Sequence, residues 1–260
     1  MRSNVYVITG AAGIAAETIK ILTSAGHRVY FISNDAKQCK LLSGELQLLG
    51  LSADYIVGDL TDERIVQKLV EACVRKYKRI DGLFNVAGIS GRKFGDGPLH
   101  ECTLEGWHQT LNNNLTTQFQ MSKYVLNQML TQKPDETGMK GVILNMSSVL
   151  ACSPDAKNFN AIAYAAGKGA IISMTKAAAA YYAKYKIRIN ALAPGLALTK
   201  MSARASEDKE ILSYMKEKQP LIGTVMAASD IARSAVFLLG NSANMITGET
   251  LTVDAGWSIS

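Results

Sequence analysis

The chain alternates short runs of β-branched apolar residues with longer stretches in which apolar residues recur at helical spacing. The short runs predict strands at residues 5–9, 28–33, 52–57, 82–86, 142–147, 187–192 and 250–253. The longer stretches predict helices at residues 15–25, 37–50, 62–78, 107–130, 161–185 and 229–239. Strands that alternate with helices are typical of βαβ units with right-handed crossovers. We therefore predict an α/β fold, a three-layer doubly wound parallel sheet of about seven strands.

Two irregular stretches follow predicted strands and are expected at the carboxyl edge of the sheet, where open α/β sheets bind ligands. They cover residues 90–100 and 193–219, and within the second we predict a substrate lid at about residues 196–219. A third stretch, residues 131–140, precedes a strand and is expected at the opposite edge. At the starts of three helices, Asp35, Asp62 and Asp230 are expected to act as capping or first-turn carboxylates.

The composition is that of a globular protein with a single domain over residues 1–260. Hydrophobic residues make up 48% of the chain, which excludes a disordered protein. No run of about 18 apolar residues occurs, so no membrane-spanning segment is expected. The chain contains no linker rich in Pro, Gly or Ser. Its start lacks the pattern of an export signal, and the four cysteines are widely spaced, so we expect a cytoplasmic protein without a disulfide framework.

The net charge of +6 comes from 28 Lys and Arg against 22 acidic residues, and the basic residues are spread along the chain. A nucleic-acid-binding protein usually clusters them, so we expect no nucleic-acid or membrane partner and only a mild preference for anionic small molecules. The three histidines form no zinc motif, and no metal site is expected. No Gly-x-Ser-x-Gly turn is present, which argues against a hydrolase.

A glycine-containing turn, Thr-Gly-Ala-Ala-Gly-Ile-Ala at residues 9–15, joins the first predicted strand to the first helix. Backbone amides at such a helix N-terminus can hold a pyrophosphate. By itself the turn is weak evidence for a dinucleotide site, since ordinary strand–helix turns also contain glycine.

The pattern Tyr-x-x-x-Lys places a phenol and an ammonium on one helix face, where the positive charge is expected to lower the pKa of the phenol. It occurs three times, at Tyr164/Lys168, Tyr182/Lys186 and Tyr214/Lys218. Only Tyr164 follows a strand that ends in Asn-Met-Ser-Ser, residues 145–148, and opens a long helix that leads to Pro194 and Gly195. This context selects Tyr164 as a candidate general acid and base.

Taken in this order, the motifs resemble those of the short-chain dehydrogenase/reductase family, from residue 5 to residue 257. The resemblance implies a Rossmann fold and an NAD(P)-dependent oxidoreductase that interconverts a carbonyl and a secondary alcohol by hydride transfer. The glycine turn departs from the family's Thr-Gly-x-x-x-Gly-x-Gly: it is one residue shorter, and Ala15 stands where the last glycine is usual. A methyl group there can crowd a dinucleotide or push the helix from the sheet. A catalytically silent nucleotide-binding or regulatory protein on the same fold is therefore the alternative.

The resemblance also implies the site residues. The implied catalytic residues are Asn114, Ser148, Tyr164 and Lys168. Ser148 would hydrogen-bond the substrate oxygen, with Ser147 as the alternative, and Asn114 would hold a water that links Lys168 to solvent. The implied cofactor-binding residues are Gly10, Gly13, Ile14, Ser33, Asn34, Asp59, Leu60, Asn85, Ala87, Gly88, Tyr164, Lys168, Pro194, Gly195, Leu196 and Thr199.

The end of the second predicted strand bears on the choice of cofactor, because a carboxylate there would bind the ribose hydroxyls of NAD and repel the 2′-phosphate of NADP. Ser33 occupies that position, which favours NADP over NAD. Neither the glycine turn nor Asn34 supplies a cation for the phosphate, and Lys37 and Arg28 are remote candidates. The family resemblance further implies a homo-oligomer, a dimer or tetramer built on the two long helices.

Overall fold

Seven parallel strands form one sheet in the computed structural model, which describes residues 2–260. Their order across the sheet is β3-β2-β1-β4-β5-β6-β7. The strands are β1 Val5–Thr9, β2 Arg28–Ser33, β3 Asp54–Val57, β4 Gly82–Asn85, β5 Gly141–Met146, β6 Ile187–Pro194 and β7 Thr250–Val253. The predicted doubly wound α/β fold is confirmed, with strand ends that shift by one or two residues.

Two of these shifts have a visible cause. Strand β4 ends at Asn85 and not at residue 86, because the N–H of Val86 turns to the Thr9 hydroxyl oxygen at 2.8 Å. Strand β6 runs two residues beyond the prediction, to Pro194, because its last residues pair with β7 as far as Val253.

Nine helices connect the strands within residues 2–260. They are α1 Ile14–Ser24, α2 Ala36–Leu48, α3 Glu63–Tyr77, α4 Leu104–Leu111, α5 Thr117–Thr131, α6 Ile162–Tyr182, α7 Ala203–Glu207, α8 Lys209–Lys218 and α9 Ala228–Leu239. The capping predictions are confirmed: Asp35 accepts the N–H groups of Lys37 and Gln38, and Asp62 accepts that of Arg64. Asp230 bonds the N–H of Ala227 at 3.0 Å.

The prediction of one helix over residues 107–130 is wrong in detail. The helix begins at Leu104, because the Thr103 hydroxyl accepts the N–H of Gly106 at 2.9 Å and caps it. A π-helical turn, Asn112–Thr116, then separates α4 from α5. The stretch 196–219 is also more regular than predicted, since it contains α7 and α8.

Side chains that alternate along each strand fill one hydrophobic layer on each face of the sheet. From β1, Tyr6 and Ile8 pack with α1, α2 and α9, whereas Val5 and Val7 pack with α3, α5 and α6. All five residues of β1 are buried, as expected for a central strand of a parallel sheet. The helices therefore hold the sheet from both sides and leave its carboxyl edge open for a site.

Side-chain hydrogen bonds join the central strands at that edge. The Thr9 hydroxyl oxygen accepts the N–H groups of Val86 and Ala87, which ties the end of β1 to the turn after β4. Asn85 donates to Asn145 Oδ1 at 2.9 Å, and Asn145 donates to Thr175 in α6 at 2.9 Å. Buried polar groups that are paired in this way rigidify the structure around them.

Close packing at the start of β4 yields a test of the fold. A Cβ added at Gly82 would lie 2.6 Å from Tyr6 Cε1 in the buried ring, so we expect Gly82→Ala to lower the free energy of unfolding by roughly 1–3 kcal/mol. Gly44, inside α2, faces open space, and Gly44→Ala should raise the free energy of unfolding by about 0.5–1 kcal/mol. Urea unfolding of both variants measures the contrast, and equal effects would contradict this packing.

Candidate active site

One cavity of about 640 Å³ lies at the carboxyl edge of the sheet. Its walls come from the turns after β1, β2, β3, β4, β5 and β6 and from the segment that holds α7. This is the position at which open α/β sheets bind ligands. The predicted stretches 90–100 and 193–219 both contribute to its walls.

The structure brings nearly all the predicted site residues to this cavity. Those that line it are Gly10, Gly13, Ile14, Ser33, Asn34, Asp59, Leu60, Ala87, Gly88, Ser148, Tyr164, Lys168, Pro194, Gly195, Leu196 and Thr199. Asn85 and Asn114 are the two exceptions, and both are fully buried behind the wall.

The glycine turn has the shape of a cradle for a pyrophosphate. Gly10 and Gly13 have φ angles of 106° and 55°, which favour glycine. A Cβ at Gly13 would lie 3.1 Å from Thr199 Cγ2, so glycine keeps this end of the cavity open. No side chain of residues 2–260 caps the N-terminus of α1, which leaves its first backbone N–H groups to a ligand. The turn therefore fits a dinucleotide.

Ala15 lies beneath this turn, fully buried in the hydrophobic layer. A Cβ at Gly10 would lie 3.1 Å from the Ala15 methyl carbon, so the absence of a side chain at Gly10 makes room for it. Helix α1 still packs on β1, β2 and α9. The structure thus shows no displacement of α1 from the sheet.

The Tyr164, Lys168 and Ser148 side chains meet at the centre of the cavity. Lys168 is 2% exposed, donates from Nζ to the Met146 carbonyl oxygen at 2.9 Å and lies 5.4 Å from the centre of the Tyr164 ring. Ser148 follows β5, accepts the N–H of Leu150 and lies close enough to the Tyr164 phenol to lower its pKa. A phenol beside a serine hydroxyl and a buried amine can exchange a proton with a bound alcohol or carbonyl.

The structure separates the two candidate serines. The Ser147 hydroxyl donates to the Lys168 carbonyl oxygen at 2.8 Å and is 1% exposed. Both serines line the cavity. Because the Ser147 hydroxyl proton is committed to the Lys168 carbonyl oxygen in α6, Ser148 is the serine whose hydroxyl is free to donate to a ligand.

Asn85, which is predicted to contact the cofactor, directs its side chain into the sheet. Its amide nitrogen donates to Asn145 and to Ser122, which turns the side chain into the sheet and away from the cavity. Ala87 and Gly88, two and three residues later, line the wall instead.

Asn114 also differs from its predicted place. Its amide nitrogen donates to the carbonyl oxygens of Ile89 and Thr110, and its Oδ1 accepts the N–H of Ile89. A Cβ at Gly88 would collide with Asn114 Oδ1 and lie 3.8 Å from Lys168 Nζ. The Asn114 side chain thus supports the turn after β4 from behind the cavity wall, and its Oδ1 can accept one more hydrogen bond.

The remaining Tyr-x-x-x-Lys pairs lie elsewhere. Tyr214 donates to Asp155 at 2.7 Å, and Tyr182 packs edge-on against the Tyr181 ring. None of their four members lines the cavity, so tertiary context agrees with the selection of Tyr164 and Lys168.

Comparisons of the sequence and of the structure with known proteins find several that are similar over nearly the whole chain. Residues 10–258 match the family described as Enoyl-(Acyl carrier protein) reductase. The chain is 32% identical to the cis-4-hydroxycyclohexanecarboxylate dehydrogenase of Sinomonas cyclohexanicum, over 98% of this chain and 96% of that protein. It is 31% identical to the 2,5-dichloro-2,5-cyclohexadiene-1,4-diol dehydrogenase of Sphingobium indicum, again over 98% and 96%. A crystal structure of an actinorhodin polyketide ketoreductase variant with NADPH superposes with a TM-score of 0.87 at 29% identity, covering 99% of this chain and 98% of that one.

The chain belongs to the short-chain dehydrogenase/reductase family. It is an NAD(P)-dependent oxidoreductase that interconverts a small-molecule alcohol and carbonyl, and the silent-protein alternative is not supported. In the part of the chain that the structure describes, no helix is long and apolar enough to cross a membrane. Residues 2–260 also hold no group of three His, Cys, Asp or Glu side chains that could bind a metal ion.

Burial shifts the pKa values of two groups in this dehydrogenase/reductase site. It raises the pKa of Tyr164 above its ordinary value, and the neighbouring Ser148 hydroxyl lowers it. Burial also lowers the pKa of Lys168 to about 7. The lowering of the phenol pKa by a protonated Lys168 stays a prediction. At neutral pH the site holds a proton on Tyr164 Oη.

Several functional side chains escaped the sequence reasoning. Asp96, 5% exposed, accepts the N–H groups of Ala163 and Tyr164 at 3.0 Å each and so fixes the first turn of α6. Four basic residues line the cavity: Arg92, Lys93, Lys200 and Arg204. The remote candidate Arg28 lies at the opposite edge, at the start of β2, and Lys37 is absent from the cavity wall. A Gly-Asp-Gly sequence at residues 95–97 was the one local signal for Asp96.

The buried amine predicts a dependence of stability on pH. Lys168 has a pKa of about 7 in the folded protein, against an ordinary value of 10.5 for lysine, so between these values the unfolded chain binds a proton that the folded one does not. Stability rises with pH in this window. We expect the unfolding free energy of the parent, relative to Lys168→Met, to rise by about 3 kcal/mol from pH 7 to pH 10.

Urea unfolding at several pH values measures this difference, and subtracting the variant cancels the other titrating groups. The variant leaves no carbonyl unsatisfied, because the Met146 carbonyl oxygen also accepts from Gln118 Nε2 at 3.0 Å. A constant difference across the range would contradict the assignment of a deprotonated buried amine.

The variant Ala15→Gly, which restores the glycine that is usual in the family, tests the role of the Ala15 methyl group. If its methyl group fills core space beneath Gly10, Ala15→Gly should change the Kd for NADPH less than about threefold and lower the free energy of unfolding by about 1 kcal/mol. Ala16→Gly, at the next buried position of α1, is the matched control for the cost of a helical glycine. Nicotinamide fluorescence titration gives the Kd, and an affinity tenfold or more higher for Ala15→Gly alone would show that the methyl group crowds the cofactor.

Proposed function

We propose that Tyr164 is the general acid and base of the reaction and that Ser148 orients the substrate oxygen. The observation that carries the proposal is the meeting of Ser148, Tyr164 and Lys168 in the cavity that the glycine turn also lines. When bound, NAD(P)H supplies the hydride for carbonyl reduction, and NAD(P)⁺ accepts one from the alcohol. During reduction the proton on Tyr164 Oη passes to the carbonyl oxygen, and during oxidation the alcohol proton passes to Tyr164.

Lys168 and Asn114 support this proton transfer in different ways. The Lys168 amine lies under the phenol and, with a pKa of about 7, gains or loses its own proton near neutral pH. When protonated, it stabilises a phenolate on Tyr164. Asn114 is proposed as a positioning residue, since its amide fixes Ile89 next to Gly88 and Lys168, where it would help to hold a water that links Lys168 to solvent.

The cofactor is proposed to extend along the cavity from the end of β2 to the turn after β6. Gly10, Gly13 and Ile14 would hold the pyrophosphate, and Asp59 and Leu60 would contact the adenine. Ala87 and Gly88 would approach the adenosine ribose. At the other end, Pro194, Gly195, Leu196 and Thr199 would hold the nicotinamide, and all of these residues line the same cavity.

We propose NADP as the preferred cofactor. Ser33 and Asn34 line the cavity without a negative charge, and Asp35 already caps α2 and accepts a hydrogen bond from Lys200 Nζ at 3.0 Å. Lys200 thus places a cation from the lid beside the end of β2. Neither the glycine turn nor Asn34 supplies such a cation. Attraction between this cation and a 2′-phosphate favours NADPH over NADH.

A pair of substitutions tests the role of Lys200. We expect Lys200→Gln to lower the ratio of NADH Kd to NADPH Kd by roughly twofold to fivefold, since an exposed charge pair is worth up to about 1 kcal/mol. Lys40→Gln removes an equal charge from the exposed face of α2 and should leave the ratio unchanged. Fluorescence titration with both cofactors gives the ratio, and an unchanged ratio in Lys200→Gln would remove Lys200 from cofactor selection.

The substrate is proposed to be a secondary alcohol, or the matching ketone, on a ring. The two curated relatives are named for a hydroxylated cyclohexane and a cyclohexadiene diol. Apolar side chains line the cavity around Ser148, as a hydrocarbon ring requires: Leu150, Phe159, Met201, Ala205 and Trp257. Residues 196–219 are proposed as a lid over this end, within a single domain of residues 1–260.

We further propose a cytoplasmic homo-oligomer, a dimer or tetramer, built on α5 and α6 with the segment before α5. Exposed aromatic side chains on these helices support the proposal, with Phe119 at 52% and Tyr181 at 55% exposure. The four free cysteines fit a reducing compartment. Sedimentation velocity measures the state of association.

The proton-transfer role makes a sharp prediction for Tyr164. We expect Tyr164→Phe to reduce kcat at least about 100-fold, because the variant lacks the hydroxyl that donates the proton, while the Kd for NADPH changes little. Tyr182→Phe removes the hydroxyl from a Tyr-x-x-x-Lys pair that does not line the cavity. This variant should keep the activity of the parent enzyme. Steady-state reduction of a cyclic ketone with NADPH measures both, and a Tyr164→Phe enzyme within a few-fold of the parent would refute the assignment.

A further inference from the structure

Three cationic side chains stand at the substrate end of the cavity. Arg92 and Lys93 lie in the short helical turn Arg92–Phe94 after β4, and Arg204 lies in α7. All three line the cavity that contains Ser148 and Tyr164. Across residues 2–260, none of them forms an ion pair with a carboxylate.

The two arginines line the same cavity from separate parts of the chain. Burial and, after it, the charge of Arg204 lower the pKa of Arg92. Arg92 donates from Nη2 to the Asn158 carbonyl oxygen at 3.1 Å, which leaves its other N–H groups for a ligand. The carboxylate nearest to them in the loop, Asp96, already accepts the N–H groups of Ala163 and Tyr164.

Like charges that face one cavity repel each other, and an anion between them removes that repulsion. Two guanidinium groups offer planar pairs of donors that match the oxygens of a carboxylate or phosphate. Apolar side chains line the same cavity, among them Phe159, Met201 and Trp257. Such a cavity suits a molecule with an apolar body and one anionic end.

We propose that Arg92 and Arg204 bind an anionic oxygen group of the substrate while its alcohol or carbonyl lies at Ser148 and Tyr164. Lys93 adds to the positive field at the same rim. The inference rests on the proposed function, because it takes the reacting oxygen to lie beside Tyr164. It adds a substrate class, ring compounds that carry an acid group, and it gives Arg92 and Arg204 the role of specificity residues.

Binding of two matched ligands tests the inference without turnover. Calorimetry on the enzyme with saturating NADPH compares cyclohexanecarboxylate with the uncharged cyclohexanecarboxamide. We expect the carboxylate to bind at least about tenfold more tightly at low salt, with a smaller preference at high salt. Arg92→Gln and Arg204→Gln should each reduce the preference about fivefold, and Arg204→Lys should restore part of it.

Arg75→Gln is the matched control, since this exposed arginine in α3 lies away from the cavity and its loss changes the net charge equally. Carboxylate and carboxamide binding with equal affinity would overturn the inference. So would a set of variants that weaken NADPH binding and leave the preference for the carboxylate intact, because the arginines would then serve the cofactor.

Turnover separates this inference from the proposed function. Reduction of 4-oxocyclohexanecarboxylate and of 4-oxocyclohexanecarboxamide is measured with NADPH as the reductant. The arginine variants should raise KM for the acid several-fold more than KM for the amide. Reduction of the amide that depends on Tyr164, with no preference for the acid, would uphold the proton-transfer role and overturn the anion site.

Discussion

The junction between β5 and α6 is the constraint on which the rest of the site depends. The Lys168 amine donates to Met146, the Ser147 hydroxyl donates to the Lys168 carbonyl, and Asn145 donates to Thr175. Three consecutive residues at the end of β5 thus hold one helix, and α6 cannot slide along the strand without losing all three contacts. The position of Tyr164 beside Ser148 follows from this attachment. The same attachment buries the Lys168 amine, and this burial lowers the pKa of Lys168 to about 7.

The loop after β4 links the position of the phenol to the shape of the substrate entrance. Asp96 from this loop fixes the N-terminal turn of α6 through the N–H groups of Ala163 and Tyr164. A few residues earlier, Arg92 and Lys93 form part of the cavity rim. Because one short segment does both, a change in its conformation alters proton transfer and substrate binding together.

The two halves of the cavity differ in what lines them: backbone at one end and side chains at the other. The glycine turn presents backbone at one end, where Gly10 and Gly13 adopt conformations that other residues rarely take. At the other end the walls are side chains from the loop after β4, the loop after β5 and the lid. A backbone cradle binds a constant ligand, whereas side chains on loops can vary, and this division lets one fold serve many substrates. The Lys200–Asp35 pair joins the halves, since it ties the lid to the end of β2.

The amino-acid sequence by itself determined the seven strands, the caps at Asp35 and Asp62 and the selection of Tyr164 among three similar pairs, because periodicity, capping and motif order are local properties of a chain. Only the tertiary structure decided that the Ser147 hydroxyl bonds α6 while that of Ser148 stays free, that Asn85 and Asn114 lie behind the cavity wall, and that burial raises the pKa of Tyr164. The cap from Asp96 spans 67 residues, and Arg92 and Arg204 line one cavity from positions more than 100 residues apart. Partners at such separations, and the burial that sets a pKa, depend on how elements pack, which no local pattern encodes.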